Sequence, residues 1–362
     1  MTPEPVSFTR KPNPQQRRSR AQPTPEKVAG SPITSRDLEI LAAVERYRFV
    51  PTSFLLRLVP GSQQGLYRRL RVLFDKRLLQ RVNCTPSDEQ IYYLDSIEPL
   101  ALLVQRPGAT LPKSSWQVVR NNRQKDYARA FRDGHVGSLL FLQHELTIAR
   151  FRFMVEKAAA ASQGRVELTK WRQGPELWNW VETPRVARHR TTSTPCADLN
   201  RKCRVPHRPD AFFTLRFPPN GAPARQLHFF YEADRKTTSL VRFKHKLKAH
   251  FDFIVYQRRQ LQETYGVDRI TAVLIETLDE HWAEALRQAA RDWVVSGGAP
   301  SSLFWFTPSD LFTRKVRIMK SGRSQTISRY LVEPEAVFSH RWATPLTNWS
   351  EHTPKLHSLL DA

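Results

Sequence analysis

Three cysteines in 362 residues, Cys84, Cys196 and Cys203, are too few and too odd in number to frame a disulfide-held fold. Two of them lie near His189 and His207, but the spacing fits no zinc-ligand pattern, so they read as free thiols in a polar loop. Nowhere does an apolar run approach the ~20 residues that a membrane-spanning helix requires. The opening stretch, MTPEPVSFTRKPNPQQRRSRAQPTPEKVAG, is basic but lacks the hydrophobic core of a secretory signal, which leaves the cytoplasm as the expected location. Acid is scarce too. Against 57 Lys and Arg stand 34 Asp and Glu, a formal net charge of +23 spread along the whole chain. That imbalance favours a polyanionic partner, nucleic acid foremost, and gives no reason to expect a membrane partner. No internal repeat is present.

What the chain does have is core. Hydrophobic residues make up 40%, with 20 Phe and 9 Trp, and the length suits two domains plus tails. Residues 1–33, rich in Pro, Gln, Arg and Ser, read as a flexible basic arm, either lying along a phosphate backbone or simply solvated. At ITSRDLEILAAVERYRFV the pattern changes. Thr34 or Ser35 can cap a helix with Asp37 and Glu39 in its first turn, and Leu38, Leu41, Ala42 and Val44 form a stripe at helical spacing. PTSFLLRLVP predicts a short second helix started by Pro51. SQQGLYRRLRVLFDKRLLQRV predicts a third, buried along Leu66, Leu70, Leu73, Phe74 and Leu78. Two short strands around TPSD then make a hairpin, so residues 34–106 read as a winged helix-turn-helix DNA-binding domain, with SIEPLALLVQ adding a helix. The third helix offers Gln63, Gln64, Tyr67, Arg68 and Arg71 to base edges and phosphates, preferably of double-stranded DNA.

Residues 107–137 break every apolar period and read as a linker. From residue 138 to 312 the order is helix, three strands, helix, strand, with a further helix and strand behind, and residues 313–362 form a basic C-terminal extension. A Pro- and Arg-rich excursion separates the first strand from the second. In the third strand, RQLHFFYEADRK, alternation sends Leu227, Phe229, Tyr231 and Ala233 to one face. His228, Phe230, Glu232, Asp234 and Lys236 go to the other. Asp210, opening the second strand, lies beside that charged face if the two strands pair. Carboxylates on neighbouring strands can hold a hard divalent cation against a phosphodiester, and a lysine beside a bound water can stabilise developing charge. A charged strand end bonding to the basic helix that follows is the alternative.

The element order, with RPD opening one strand and DRK closing the next, resembles the PD-(D/E)xK nuclease superfamily. That resemblance makes Pro209–Asp210 the PD and Asp234-Arg235-Lys236 the (D/E)xK. It implies catalytic Asp210, Asp234, Lys236 and Glu232, and magnesium on Asp210 and Asp234 with the helical Glu145 as auxiliary. The stretches SRDLEILAAVERYRFVPTSFL, HELTIARF, RPDAFF and FFYEADRKTTSLVRFKHKL together resemble the replication-relaxation family of plasmid and mobile-element proteins, from about residue 34 to 312. In that family the third strand usually reads E-x-D-R followed by a small residue, often Gly, where this chain has Lys236. The implied fold is α/β (α+β overall), a winged helix followed by a restriction-endonuclease-like αβββαβ core. The implied role is DNA binding in replication, relaxation or mobilisation, with or without magnesium-dependent cleavage. A homodimer and other replication or mobilisation proteins are compatible partners. A non-enzymatic winged-helix regulator or replication accessory factor with an inactive nuclease-like domain competes with it, as does an RNA-processing nuclease.

Overall fold

The computed structural model describes residues 22–82, 89–94, 96–105, 136–183, 203–219, 223–236, 238–295, 299–312, 314–320, 323–329, 334–339, 341–347 and 355–360. Most of the arm and of the linker expected at 107–137, the TPSD tip, Cys84, Cys196 and His189 lie outside these residues. The chain is a mixed α and β protein that divides into two compact units, Met1–Glu145 and Leu146–Ala362. No described helix is long and apolar enough to cross a membrane.

In the first unit Thr34 caps helix α1 (Ser35–Tyr47). Its hydroxyl accepts from the Asp37 amide while the Asp37 carboxylate accepts from the Thr34 amide at 2.7 Å, a capping box with Asp in the acid place. Ile40, Leu41, Val44 and Tyr47 form its buried stripe. Strand β1 (Val50–Pro51), α2 (Thr52–Leu58) and α3 (Gln63–Asp75) follow, with Ser62 Oγ capping α3 at the Gly65 amide. Strands β2 (Gln80–Arg81) and β3 (Ile91–Tyr93) complete an antiparallel sheet of order β1-β3-β2. Helix α4 (Glu98–Val104) lies beside α1. Strand β1 has only two residues, one of them proline, and no sequence period announces it. The end of the arm departs from the expectation of a free tail. Pro25–Val28 forms a 3-10 turn that buries Val28, and the Thr24 amide donates to Asp75 Oδ1 at 3.0 Å.

The second unit is built on a five-stranded sheet, in the order β10 (Phe304–Pro308), β9 (Ala272–Thr277), β8 (Arg225–Asp234), β7 (Ala211–Phe217) and β4 (Glu167–Gln173). Strands β4, β7 and β8 are antiparallel neighbours. Strands β9 and β10 continue the sheet parallel to β8. The second half of α5 (Val136–Ala161) covers one face, where Phe151 stacks on Tyr231 with ring centroids 4.0 Å apart. Helices α6 (Leu240–Tyr256), α7 (Arg258–Tyr265) and α8 (Glu280–Val295) supply the other. Phe243, Leu247, Phe253, Leu261, Tyr265 and Leu286 form one core there with Phe212, Phe230, Val273 and Phe306 of the sheet. The excursion contains a hairpin the sequence did not announce, β5 (Asn179–Thr183) with β6 (Cys203–His207), packed against α6. The C-terminal extension holds the hairpin β11 (Arg314–Lys320) and β12 (Arg323–Arg329), and beyond it fully buried Trp342 joins the α5 face, 6.2 Å from Phe151.

One buried ion pair ties α3 to α1. Asp37 is fully buried and pairs with Arg69, whose guanidinium also donates to Pro32 O at 3.0 Å. Burial opposes charge on Asp37, yet Arg69 and the Thr34 donors hold its carboxyl below the ordinary 3.8. Removing one member of such a pair strands the other. Asp37→Ala should therefore cost about 3–5 kcal/mol in the denaturant unfolding of the first unit. A depressed carboxyl stabilises fully above its unfolded value, so the wild-type margin over Asp37→Ala should persist at neutral pH and shrink as pH falls below about 4.

Candidate functional site

Register explains why the charged face of β8 exists. Ala211 pairs with Tyr231 across the antiparallel β7–β8 ladder, which sets Asp210 opposite Glu232. The Asp210 amide donates to Tyr231 O at 3.1 Å, and Asp210 Oδ2 accepts from the Ala233 amide at 2.8 Å. The acid thus continues the ladder one step beyond the strand. The two acids are close enough for Asp210 to raise the Glu232 pKa, and close carboxylates repel unless a proton or a cation lies between them.

The cation comes from α6. Lys246 Nζ pairs with Glu232 Oε2, while His250 Nε2 meets Glu232 Oε1 at 2.6 Å. His250 Nδ1 in turn lies 2.9 Å from His207 Nε2, at the end of β6. Glu232, His250 and His207 are each 2% exposed or less. Burial pushes the Glu232 carboxyl well above the usual carboxylate range; Lys246 opposes the shift and Asp210 reinforces it. Burial works against charge on Lys246 as well, but Glu232 and Asp210 hold it above the ordinary lysine value. His250 is pushed down to about 3, by burial first and by Lys246 second, and His207 falls well below its usual range through burial first, then His250 and Lys246. Both imidazoles are therefore neutral near pH 7. With Glu232 ionised, His250 donates to it and accepts from His207. His207 Nδ1 is then a buried acceptor with no hydrogen-bond partner among the described residues. With Glu232 protonated, every bond in the line reverses.

Asp234 and Lys236 do other work. Asp234 Oδ1 accepts from the Trp282 indole at 2.7 Å and from the Lys236 amide at 2.8 Å, closing the turn after β8. Asp234 still contributes to the field that raises Lys246. Lys236 is exposed, sits at φ 59°, and carries its ammonium over the Trp282 ring, 5.4 Å from the centroid. Glu145 belongs to the first unit, where Oε2 pairs with Arg48 at 3.0 Å. The geometry therefore brings Asp210 and Glu232 together, keeps Asp234 within electrostatic reach, and engages Lys236 and Glu145 elsewhere. Lys246, His250 and His207 are the members that sequence reasoning missed.

Among the described residues, no group of three or more His, Cys, Asp or Glu side chains is placed to hold a metal ion. The Asp210–Glu232 pair nonetheless has the chemistry that magnesium accepts, because that ion takes one or two carboxylates and fills its shell with water and substrate phosphate.

On α3 of the first unit, Gln63, Gln64, Tyr67 and Arg68 are exposed, with Gln63 Nε2 donating to the Tyr67 hydroxyl at 2.8 Å. Arg71 is half buried and paired with Asp75 at 2.7 Å. The Arg36 guanidinium donates to Ser62 O at 3.0 Å, and a Cβ at residue 65 would lie 2.6 Å from Arg36 Nη1, so Gly65 is what admits it.

From Leu41 in α1 to Arg269 just before β9, the chain matches the model of the replication-relaxation family. This span takes in α3, Asp210, Glu232, Asp234, Lys246 and His250. No curated protein and no solved structure matches the chain. With well over half its length accounted for by that one model, the chain belongs to the replication-relaxation family.

Proposed function

We propose that this chain is a DNA-binding protein serving the replication, relaxation or mobilisation of a plasmid or other mobile element. In this reading it cleaves phosphodiesters with magnesium at Asp210, Glu232 and Lys246. Family membership supports the setting. For the first unit, the order helix, strand, helix, helix, strand, strand with a small antiparallel sheet supports a winged helix-turn-helix, with α3 as its recognition helix. For the second, a helix, three antiparallel strands and a helical crossover to a parallel strand support a PD-(D/E)xK-like core.

One observation carries the enzymatic reading: a strand register that sets Asp210 against Glu232, with the Lys246 ammonium bonded to Glu232 and in the field of Asp210. Magnesium held by the two carboxylates would polarise a phosphate and lower the pKa of a bound water. Lys246, released from Glu232 by that charge, stands where it can stabilise a phosphate oxygen as negative charge develops. In this reading Lys246 takes the part that the motif gives to Lys236. The competing reading, a non-enzymatic regulator or accessory factor, is favoured by the same pairs: His250 and Lys246 satisfy Glu232 internally, as a structural acid would be.

Supercoiled plasmid incubated with the full chain should relax with Mg²⁺ and stay intact with EDTA. Asp210→Asn and Lys246→Ala should each lower the rate at least about a hundredfold, whereas Lys236→Gly should keep it. An intact plasmid in every lane assigns the chain to the regulator class. Loss of activity in Lys236→Gly with Lys246→Ala unaffected returns the lysine role to Lys236.

On duplex DNA, Arg68→Ala should weaken binding and flatten the dependence of log K on log salt by about one phosphate contact. Gln64→Ala should lower the preference for a cognate site while leaving that slope alone. Arg71→Ala should act mainly on stability, since its partner is Asp75. Titrations at several salt concentrations separate the three effects.

A further inference from the structure

The β5–β6 hairpin carries a face that the cleavage site does not use. Asn179 points inward, donating to Leu177 O at 2.8 Å and to the Tyr265 hydroxyl at 3.1 Å, and Val181 is fully buried. Alternation therefore turns Trp180, and Trp178 just before the strand, to the outside. They are 55% and 43% exposed. On the partner strand Val205 and His207 face in, while Arg204, Pro206 and Arg208 are exposed. Trp180 pairs with Pro206, and the Arg208 guanidinium lies 4.9 Å from the centre of the Trp178 ring. Two indoles, a proline ring and two guanidinium groups thus share one outward surface.

Exposed tryptophan is unusual, and a pair interleaved with arginine has a specific chemistry. Flat π-faces accept unstacked bases of any sequence, and the arginines meet the phosphates between them or stack in turn. Protein interfaces also use tryptophan and arginine, and here the charge decides: in a chain of net charge +23 the two arginines favour a polyanion. In a duplex the bases already stack on one another, so this surface suits an unpaired strand. Its position adds direction. Arg208 is two residues from Asp210, about 7 Å of extended chain, and the other strand end, His207, closes the line to Glu232.

We propose that the outer face of the β5–β6 hairpin is a stacking platform for single-stranded DNA, delivering an unpaired strand to the Asp210–Glu232 site. The proposal deepens the function above and rests on it for the nature of the polymer, but not on cleavage.

The test is fluorescence anisotropy of the full chain with labelled oligothymidylate, an abasic oligomer of equal length, and a duplex. The parent should bind oligothymidylate more tightly than the abasic oligomer. Trp178→Ala and Trp180→Ala should each weaken oligothymidylate binding about fivefold or more. Trp178→Phe and Trp180→Phe should retain most of it, and duplex affinity should change less than twofold in all four variants. Because both side chains are exposed, their melting temperatures should match the parent and show that folding is not at issue. Equal binding of abasic and base-bearing strands overturns the proposal. So does oligothymidylate affinity within twofold of the parent in both Trp178→Ala and Trp180→Ala, or an equal loss on duplex. A chain that fails to relax plasmid but passes these comparisons loses the cleavage reading and keeps the platform.

Discussion

The second unit depends on a buried acid being met from three directions. Glu276 on β9 is 1% exposed, pairs with Arg150 of α5, and accepts from the Tyr231 hydroxyl at 2.7 Å and from Ser309 at 2.5 Å. One carboxylate thus joins the covering helix, the central strand and the turn after β10. Such an arrangement is satisfied only when all parts are in place, because a lone buried carboxylate would have to neutralise or leave. Register gives it a counterpart. Ala233 pairs with Glu276 and Glu232 with Ile275, so adjacent parallel strands send one acid to each face. Glu276 fixes α5 to one side, and Glu232 fixes α6 to the other.

Much of this was legible in the sequence, and the illegible part has a common cause. Capping at Thr34, the α3 stripe and the five apolar strands of the sheet follow from local periodicity. So does the gathering of Glu232 and Asp234 on one strand face. What periodicity cannot say is which residue of a later helix reaches that face. The basic helix after the strand is a legible bonding partner for its charged end, but its pattern does not single out Lys246 and His250, four residues apart on one face, as the members that meet Glu232. The β5–β6 hairpin was hidden because its strands are separated by some twenty residues, so no turn signal joins them. Trp342, in what read as a basic extension, is buried by partners nearly two hundred residues away.

Lys236 illustrates how a motif can match in letters and differ in geometry. At φ 59° it occupies the left-handed region, where a side chain costs about 1 kcal/mol and glycine costs little. A small residue would fit that backbone need, with Asp234 closing the turn through the Lys236 amide. The lysine in this place sets its ammonium over the Trp282 ring, a contact that offsets part of that cost.

The parallel pairing of β8 with β9 has a consequence for the growing chain. A ribosome completes β8 well before β9, because α6 and α7 lie between them. During that interval Glu276, the acid that pairs with Arg150, is not yet made, and β8 is an open sheet edge with Phe229, Phe230 and Tyr231 on its two faces. Open apolar edges invite pairing with the wrong chain. Glu232 and Asp234 sit at the end of that same edge, where inward charges disfavour a foreign strand. Acids that later hold α6 and close a turn therefore also guard the nascent sheet while its neighbour is still unmade.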